Sequence, residues 1–371
     1  MRWALALALL GLAARPARGQ SVAVSGQASA WLTSKPDSAV VSGAGVRYIP
    51  EAALALPVGG ADSLALDLSA DASLARSFGP GAPSGLDAAL KPYRAWARFT
   101  TPRFEARVGL QKINFGSATL FRPLMWFDRV DPRDPLQLTN GVTGALARYT
   151  FQNNANVWGW ALVGNTPPKG WETFPTERGT VEVGGRVQTP VPAGELALTY
   201  DRREADLRSL AAGFVPEDRY GLDGKWNLGI GVWGEAALVH QVTPAGVPAY
   251  QRFWTVGADY TVGVGNGVYL LAEYARLDAP SSPFASGSGT GLSGLLASYP
   301  VGIVDKVSAI VYRAWQAGQW YRILTWQRTY DAWTLYLLAF WNPAEPVALG
   351  VGQQGQALAG RGVQLMAAFN H

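Results

Sequence analysis

Between Ile113 and Gly141 the chain interleaves Arg122, Arg129 and Arg133 with Asp128, Asp131 and Asp134. Guanidinium groups grip carboxylates and phosphates through paired hydrogen bonds, so this segment has the chemistry to orient an anion or a dipolar solute. The same spacing also lets each arginine pair with a neighbouring aspartate in a plain surface loop. Pro123, Pro132 and Pro135 exclude a regular helix or central strand across most of it. Catalytic spacings are absent elsewhere. His240 is the single histidine besides the terminal His371, too few for a metal site, and a poor base for a triad. Gly263–Gly267 has the glycines of a phosphate loop but neither a Lys nor a following helix, and reads as a tight turn. The chain is not expected to be an enzyme or to carry a cofactor.

The elements around this segment alternate with a period of two. Val22, Val24, Gly26, Ala28, Ala30 and Leu32 share one face; Leu64, Leu66, Leu68, Ala70, Ala72 and Leu74 do so against Asp67, Ser69, Asp71 and Ser73. Runs of about 9–11 residues suit a tilted membrane crossing, whereas soluble strands average about five or six. Candidate strands fall at 22–33, 43–57, 63–76, 92–101, 103–112, 142–151, 156–164, 180–189, 195–203, 220–227, 231–241, 250–262, 267–277, 292–300, 305–315, 320–328, 332–341 and 361–369. The expected fold is therefore all-β, a transmembrane antiparallel up-and-down barrel of about 18 strands, an even number. Sixteen is the alternative, because 292–300 and 320–328 alternate poorly. Links alternate between short (58–62, 101–102, 151–155, 190–194, 228–230, 263–266) and long (77–91, 113–141, 165–179, 204–219, 278–291, 342–360). Gln316–Gln319 is the exception, short where a long link is due. Tyr93, Tyr200, Tyr220, Tyr274 and Trp341 near the loop ends, with Tyr149, Trp226, Tyr260, Tyr299 and Phe369 near the turn ends, predict two interfacial belts.

Residues 1–19 read as a signal peptide cut near Gly19: Arg2, an apolar run from Trp3 to Ala14, then small residues. Residues 20–371 are then one barrel domain. Removing Arg2, Arg15 and Arg18 leaves 28 basic residues against 27 acidic, a net +1 in place of the +4 of the whole chain, and nucleic acid is not an expected partner. No cysteine is present, which rules out disulfides and covalent haem attachment.

Lipid-facing charge costs about 2–4 kcal/mol per Arg or Lys at mid-membrane, so parity turns the charged strand residues inward. Arg94, Arg98, Arg107, Arg148 and Arg186 then form a basic track along one wall, with Asp67, Asp71, Glu105 and Glu182 near it. Two readings stand together: an anion-attracting track, or arginines that pair with those acids and brace the wall.

The alternation, link parity and belts resemble those of bacterial outer-membrane porins, and the resemblance covers the mature chain. Gly109-Leu110-Gln111-Lys112-Ile113-Asn114-Phe115-Gly116 is similar to the strand-end segment of substrate-specific, alginate-export-like and carboxylate-uptake channels, with Leu110 where some of these carry Arg. The terminus departs too, since Asn370 and His371 follow Phe369. The resemblance implies an outer-membrane location and diffusion of small hydrophilic solutes, with a preference for anions or carboxylates. It also implies a third external loop, 113–141, folded toward the lumen as a constriction. Implied partners are outer-membrane lipid and lipopolysaccharide, the solute, the barrel-assembly machinery and a homotrimer. The alternative function is a sheath around an exported multihaem cytochrome.

Overall fold

A computed structural model describes residues 21–36, 42–79, 82, 85–210, 213–243, 248–344 and 358–371. The signal segment lies outside them. The strands are β1 (Ser21–Ser34), β2 (Ser42–Gly59), β3 (Asp62–Phe78), β4 (Leu86–Thr100), β5 (Phe104–Gln111), β6 (Val142–Thr150), β7 (Asn156–Val163), β8 (Val181–Val191) and β9 (Gly194–Asp206), followed by β10 (Phe214–Asn227), β11 (Gly231–Gln241), β12 (Tyr250–Val262), β13 (Val268–Ala279), β14 (Ser288–Val301), β15 (Asp305–Ala314), β16 (Gln319–Thr329), β17 (Trp333–Trp341) and β18 (Arg361–Asn370). Each pairs antiparallel with its sequence neighbours, and β1 pairs with both β2 and β18, closing an 18-stranded sheet. The seam runs to the last residue: Gly26 and His371 exchange backbone hydrogen bonds of 3.1 Å. Closure leaves no strand edge, as a lipid-spanning sheet requires.

The sheet is inverted relative to a soluble one. Along β13, Leu270 and Tyr274 are 42% and 38% exposed, whereas Leu271, Glu273 and Ala275 between and beside them are buried. Apolar side chains thus face out, toward hydrocarbon, and the acids face in. The two belts fall on that outer face: Tyr200, Tyr220, Tyr274 and Trp341 at the long-loop end, Tyr149 and Tyr260 at the short-turn end, all exposed. His240 is stacked on Tyr250, with ring centroids 4.6 Å apart.

The alternative of 16 strands is corrected, because 292–300 and 320–328 lie within β14 and β16, each paired on both sides. Three strands begin earlier than the alternation predicts: β4 at Leu86, β10 at Phe214 and β14 at Ser288. In β4 the added residues 86–91 are exposed on both faces, so no inward–outward contrast marks the start of the strand in the sequence.

Candidate functional site

The segment between β5 and β6 makes a circuit of the lumen. Ile113, Phe115, Trp126 and Phe127 pack on Val142, Leu146, Trp160 and Leu162 of β6 and β7. Leu120 and Phe121 reach the far wall, against Phe253, Leu271, Leu292 and Tyr312. Leu136 then packs with Tyr336, Leu338 and Met366 on β17 and β18. The return passes β4, where the Arg94 guanidinium donates to the Thr139 hydroxyl (2.6 Å) and carbonyl (3.2 Å). The apolar residues of this segment are buried because inward strand positions opposite them are apolar as well.

Two inward carboxylates clamp its far point. Glu273 accepts backbone N–H bonds from Thr119 (2.6 Å), Leu120 (2.8 Å) and Phe121 (2.7 Å), and Nε1–H of Trp233 (3.0 Å). Glu235 accepts from the amides of Ala118 (2.9 Å) and Leu124 (2.6 Å). Gly116, at φ +95°, gives the chain room beside Glu235, where a Cβ would strike the carboxylate.

A second loop, 164–180, rests on the first. Trp171 Nε1 donates to the Arg122 carbonyl (2.7 Å) and Arg129 Nε to the Gly170 carbonyl (3.0 Å). It also enters a buried ionic network. Arg219 contacts Glu217 (2.5 Å), Glu172 (2.7 Å), Asp201 (3.7 Å) and Glu182 (3.8 Å); Arg203 contacts Glu217 (2.7 Å) and Glu172 (3.5 Å); Lys169 contacts Glu172 (2.8 Å) and Glu182 (2.9 Å). Burial pushes the Glu172 carboxyl up, but Arg219, Arg203 and Lys169 outweigh it and hold it below its ordinary value. Beside the network, Trp126, Trp171, Phe253, Arg129 and Gln241 line a cavity of about 330 Å³.

The residues singled out in the sequence separate into two groups. Arg94, Arg98 and Arg107 are half-buried on β4 and β5, and Arg148 is exposed on β6. Arg98 stands opposite Arg107 in the register, and Glu105 opposite Arg148. Arg107 pairs with Glu105 at 3.0 Å, whereas among the described residues Arg98 and Arg148 have no ion pair and lie over the rings of Trp96 and Trp158. Arg186 does not join this row as a free cation: 3% exposed, it binds Asp223 through both nitrogens (2.5 and 2.9 Å) under Phe115. Asp67 is half-buried opposite Trp96, Asp71 pairs with Arg47 (3.1 Å), and Glu182 belongs to the ionic network. Within the loop, Arg133 and Asp131 pair at 2.9 Å; Asp134 caps the amides of Leu136 (3.1 Å) and Leu138 (3.2 Å); Arg122 donates to Asn114 and the Phe115 carbonyl.

Asp128 is 3% exposed and accepts the Gly141 amide at 3.2 Å where the loop re-enters β6. Burial raises its carboxyl from 3.8 to about 6, against the pull of Lys112 and Arg94. The docked loop therefore holds this proton more tightly than a free loop would. Docking is strongest below the ordinary value, weakens as pH rises to about 6, and is flat above it. At about 1.4 kcal/mol per pH unit the swing is on the order of 3 kcal/mol. Amide exchange across 126–141 is expected to be slower at pH 4 than at pH 7 beyond the intrinsic base dependence. In Asp128→Asn that excess difference is expected to vanish; its persistence would refute the assignment.

Sequence reasoning missed the ionic network as a unit. Glu182, Asp201 and Arg203 were visible as inward positions, but Glu217 and Arg219 fell in the 204–219 link and Lys169 and Glu172 in the 165–179 link. A usable signal was the sign alternation of Glu217 and Arg219, two residues apart and therefore on one face.

Closure, inversion and an infolded loop between the fifth and sixth strands define a porin-type transmembrane β-barrel. No protein-family model and no curated protein matches the chain in sequence. Solved structures match it across its length. OccD3 (OpdP) of Pseudomonas aeruginosa gives a TM-score of 0.60 at 11% identity, covering 96% of this chain and 93% of that one. OccK5 (OpdH) of the same organism gives 0.58 at 10%, covering 95% and 98%. The anion-selective porin from Comamonas acidovorans gives 0.52 at 15%, covering 95% and 100%. At these identities the likeness is one of fold.

Proposed function

We propose that the chain is an outer-membrane channel through which small hydrophilic solutes diffuse, with loop 113–141 narrowing the passage and anions favoured. The observation that carries this is an asymmetry of the lumen. Loop 113–141 covers the inward faces of β11 to β15, so that Trp233, Phe253, Leu271, Leu292 and Tyr312 are buried, whereas Arg94, Arg98, Arg107 and Arg148 on β4 to β6 keep access to water. A passage along that wall meets guanidinium groups from the loop end to the turn end. Arg94 and Arg98 alone are separated by about 13 Å at 3.3 Å per residue. Such a row attracts carboxylates and phosphates without holding them, provided neighbouring acids neutralise only part of it. The carboxylate-directed reading of the resemblance and the anion selectivity of the Comamonas porin point the same way. A loop that crosses the bore also takes the volume a haem protein would need, which favours a solute channel over a cytochrome sheath.

The test is the reversal potential of the purified protein in a planar bilayer under a salt gradient. Steady current with anion preference is expected. Arg98→Ala with Arg148→Ala is expected to lower the anion-to-cation permeability ratio about threefold, equivalent to roughly 0.6 kcal/mol of lost attraction in a wet lumen. A cation-preferring channel that both substitutions leave unchanged would overturn the anion reading, and a barrel that never conducts would overturn the channel itself.

A further inference from the structure

At the long-loop end of β15 to β18, arginine and tryptophan share the outward face in adjoining register positions. Arg313 on β15 stands opposite Trp320 on β16; Arg322 on β16 stands opposite Trp341 on β17, which stands opposite Arg361 on β18. Their inward neighbours Tyr312, Tyr321 and Phe340 are buried at 3%, 0% and 0%, which fixes the opposite direction for this set. The Arg313 guanidinium lies 4.7 Å from the rings of both Trp315 and Trp320, and Arg322 lies 5.5 Å from Trp320.

The short link at 315–318 leaves this rim low, with no long loop from β15 or β16 above it. Toward mid-membrane the same face is apolar, with Leu324, Leu337, Val363 and Leu365 exposed. The arginines therefore sit where hydrocarbon gives way to headgroups. Tryptophan settles at that level, and a rim arginine there meets whatever charge the headgroups carry.

No carboxylate among the described residues balances them. Among the described residues Arg313, Arg322 and Arg361 form no ion pair, and Arg313 Nε is buried without a hydrogen-bond acceptor. The other end of the same two strands is different: outward Arg328 has Asp305 at 3.8 Å, and Trp326 Nε1 donates to the same aspartate at 3.1 Å. Among the described residues of β15 and β16, the outward arginines without an ion pair thus lie at the long-loop end and the paired one at the short-turn end.

We propose that Arg313, Arg322 and Arg361 form a binding site for the phosphate of a phosphorylated lipid headgroup in the leaflet on the long-loop side. The tryptophans hold the guanidinium planes and cover the upper acyl chain. Arginine suits the task because its fork matches two phosphate oxygens and the flat group stays charged while stacked. The proposal rests on the outer-membrane placement above but not on conduction, so a silent channel leaves it standing.

The experiment is native mass spectrometry of the full-length purified barrel titrated with diphosphoryl lipid A, with dephosphorylated lipid A and inorganic phosphate as separate arms. Wild type is expected to bind diphosphoryl lipid A at least tenfold more tightly than the dephosphorylated form. Each Arg→Gln substitution at 313, 322 or 361 is expected to weaken it about fivefold, the factor for a basic residue near an anionic leaflet. Arg328→Gln is expected to have no effect, and the triple Arg→Lys variant to fall between wild type and the triple Gln variant. Heat-modifiable gel mobility verifies that each variant folds. Equal binding of the two lipid forms, full binding by a folded triple Gln variant, or inorganic phosphate competing at the lipid's own concentration would each overturn the proposal.

Discussion

Replacing Glu273 and Glu235 together by Gln is expected to raise single-channel conductance severalfold while the barrel stays folded. The two carboxylates receive the amides of Ala118, Thr119, Leu120, Phe121 and Leu124, a run of backbone with no strand partner of its own. A carboxylate can accept three or four such bonds at once because both oxygens are acceptors and carry the charge. An amide of the same shape offers one oxygen and turns two donors toward donors. Each buried N–H left without a partner costs about 1–3 kcal/mol, so the loop's far point is expected to leave the wall. Burial of Leu120 and Phe121 opposes release, but their neighbours Phe253 and Leu292 still pack on other inward groups, and the strand ladder does not depend on the loop. Conductance and open-channel noise are the measurements. A double variant with the conductance and noise of wild type would show that apolar packing alone positions the loop.

This clamp illustrates what was legible in the sequence. Period-two parity placed Glu235 and Glu273 inward, because lipid excludes charge from the other face. It carried no information about which lumen segment they would meet, since the contact joins residues 117 and 154 positions apart. The strand count and closure were legible for the same local reason, and the alternation of short and long links set the phase of the hairpins apart from the one at Gln316–Gln319. Boundaries failed where the inward–outward contrast lapses: β4 begins at Leu86, and its residues 86–92 are exposed on both faces, so parity carries no signal there. The loop 113–141 stood out through its arginines and aspartates, yet the residues that seat it are Phe115, Leu120, Phe121, Leu124, Trp126 and Phe127. Five guanidinium groups shared one inward wall in the sequence; only pairing in space separates Arg186, neutralised by Asp223, from Arg98 and Arg148.

The second large effect concerns Arg219, which is 2% exposed and faces Glu172, Glu182, Asp201 and Glu217 together. Arg219→Met keeps much of the volume and leaves those four carboxylates with Lys169 and Arg203 alone. Removing one member of a buried ionic set costs about 3–5 kcal/mol, because the remaining charges stay desolvated. Loop 164–180 supplies Lys169 and Glu172, so relief comes by expelling them into water. Protease cleavage within 165–179 is therefore expected in the variant and not in wild type, together with a lower temperature for loss of heat-modified mobility. The pH dependence separates charge from packing. In wild type the Glu172 carboxyl is held below its ordinary 4.5, so its contribution is present above that value and lost as pH falls through the lower folded value. Without Arg219 the sign reverses, since surplus carboxylates gain by taking up protons, and acidification toward pH 4 is expected to restore protease resistance. Glu217→Gln in the Arg219→Met background is expected to restore part of it at neutral pH by removing one negative charge. If cleavage is independent of pH and unaffected by that second substitution, the loop is seated by Trp171 on Phe253 and the ionic set is incidental to it.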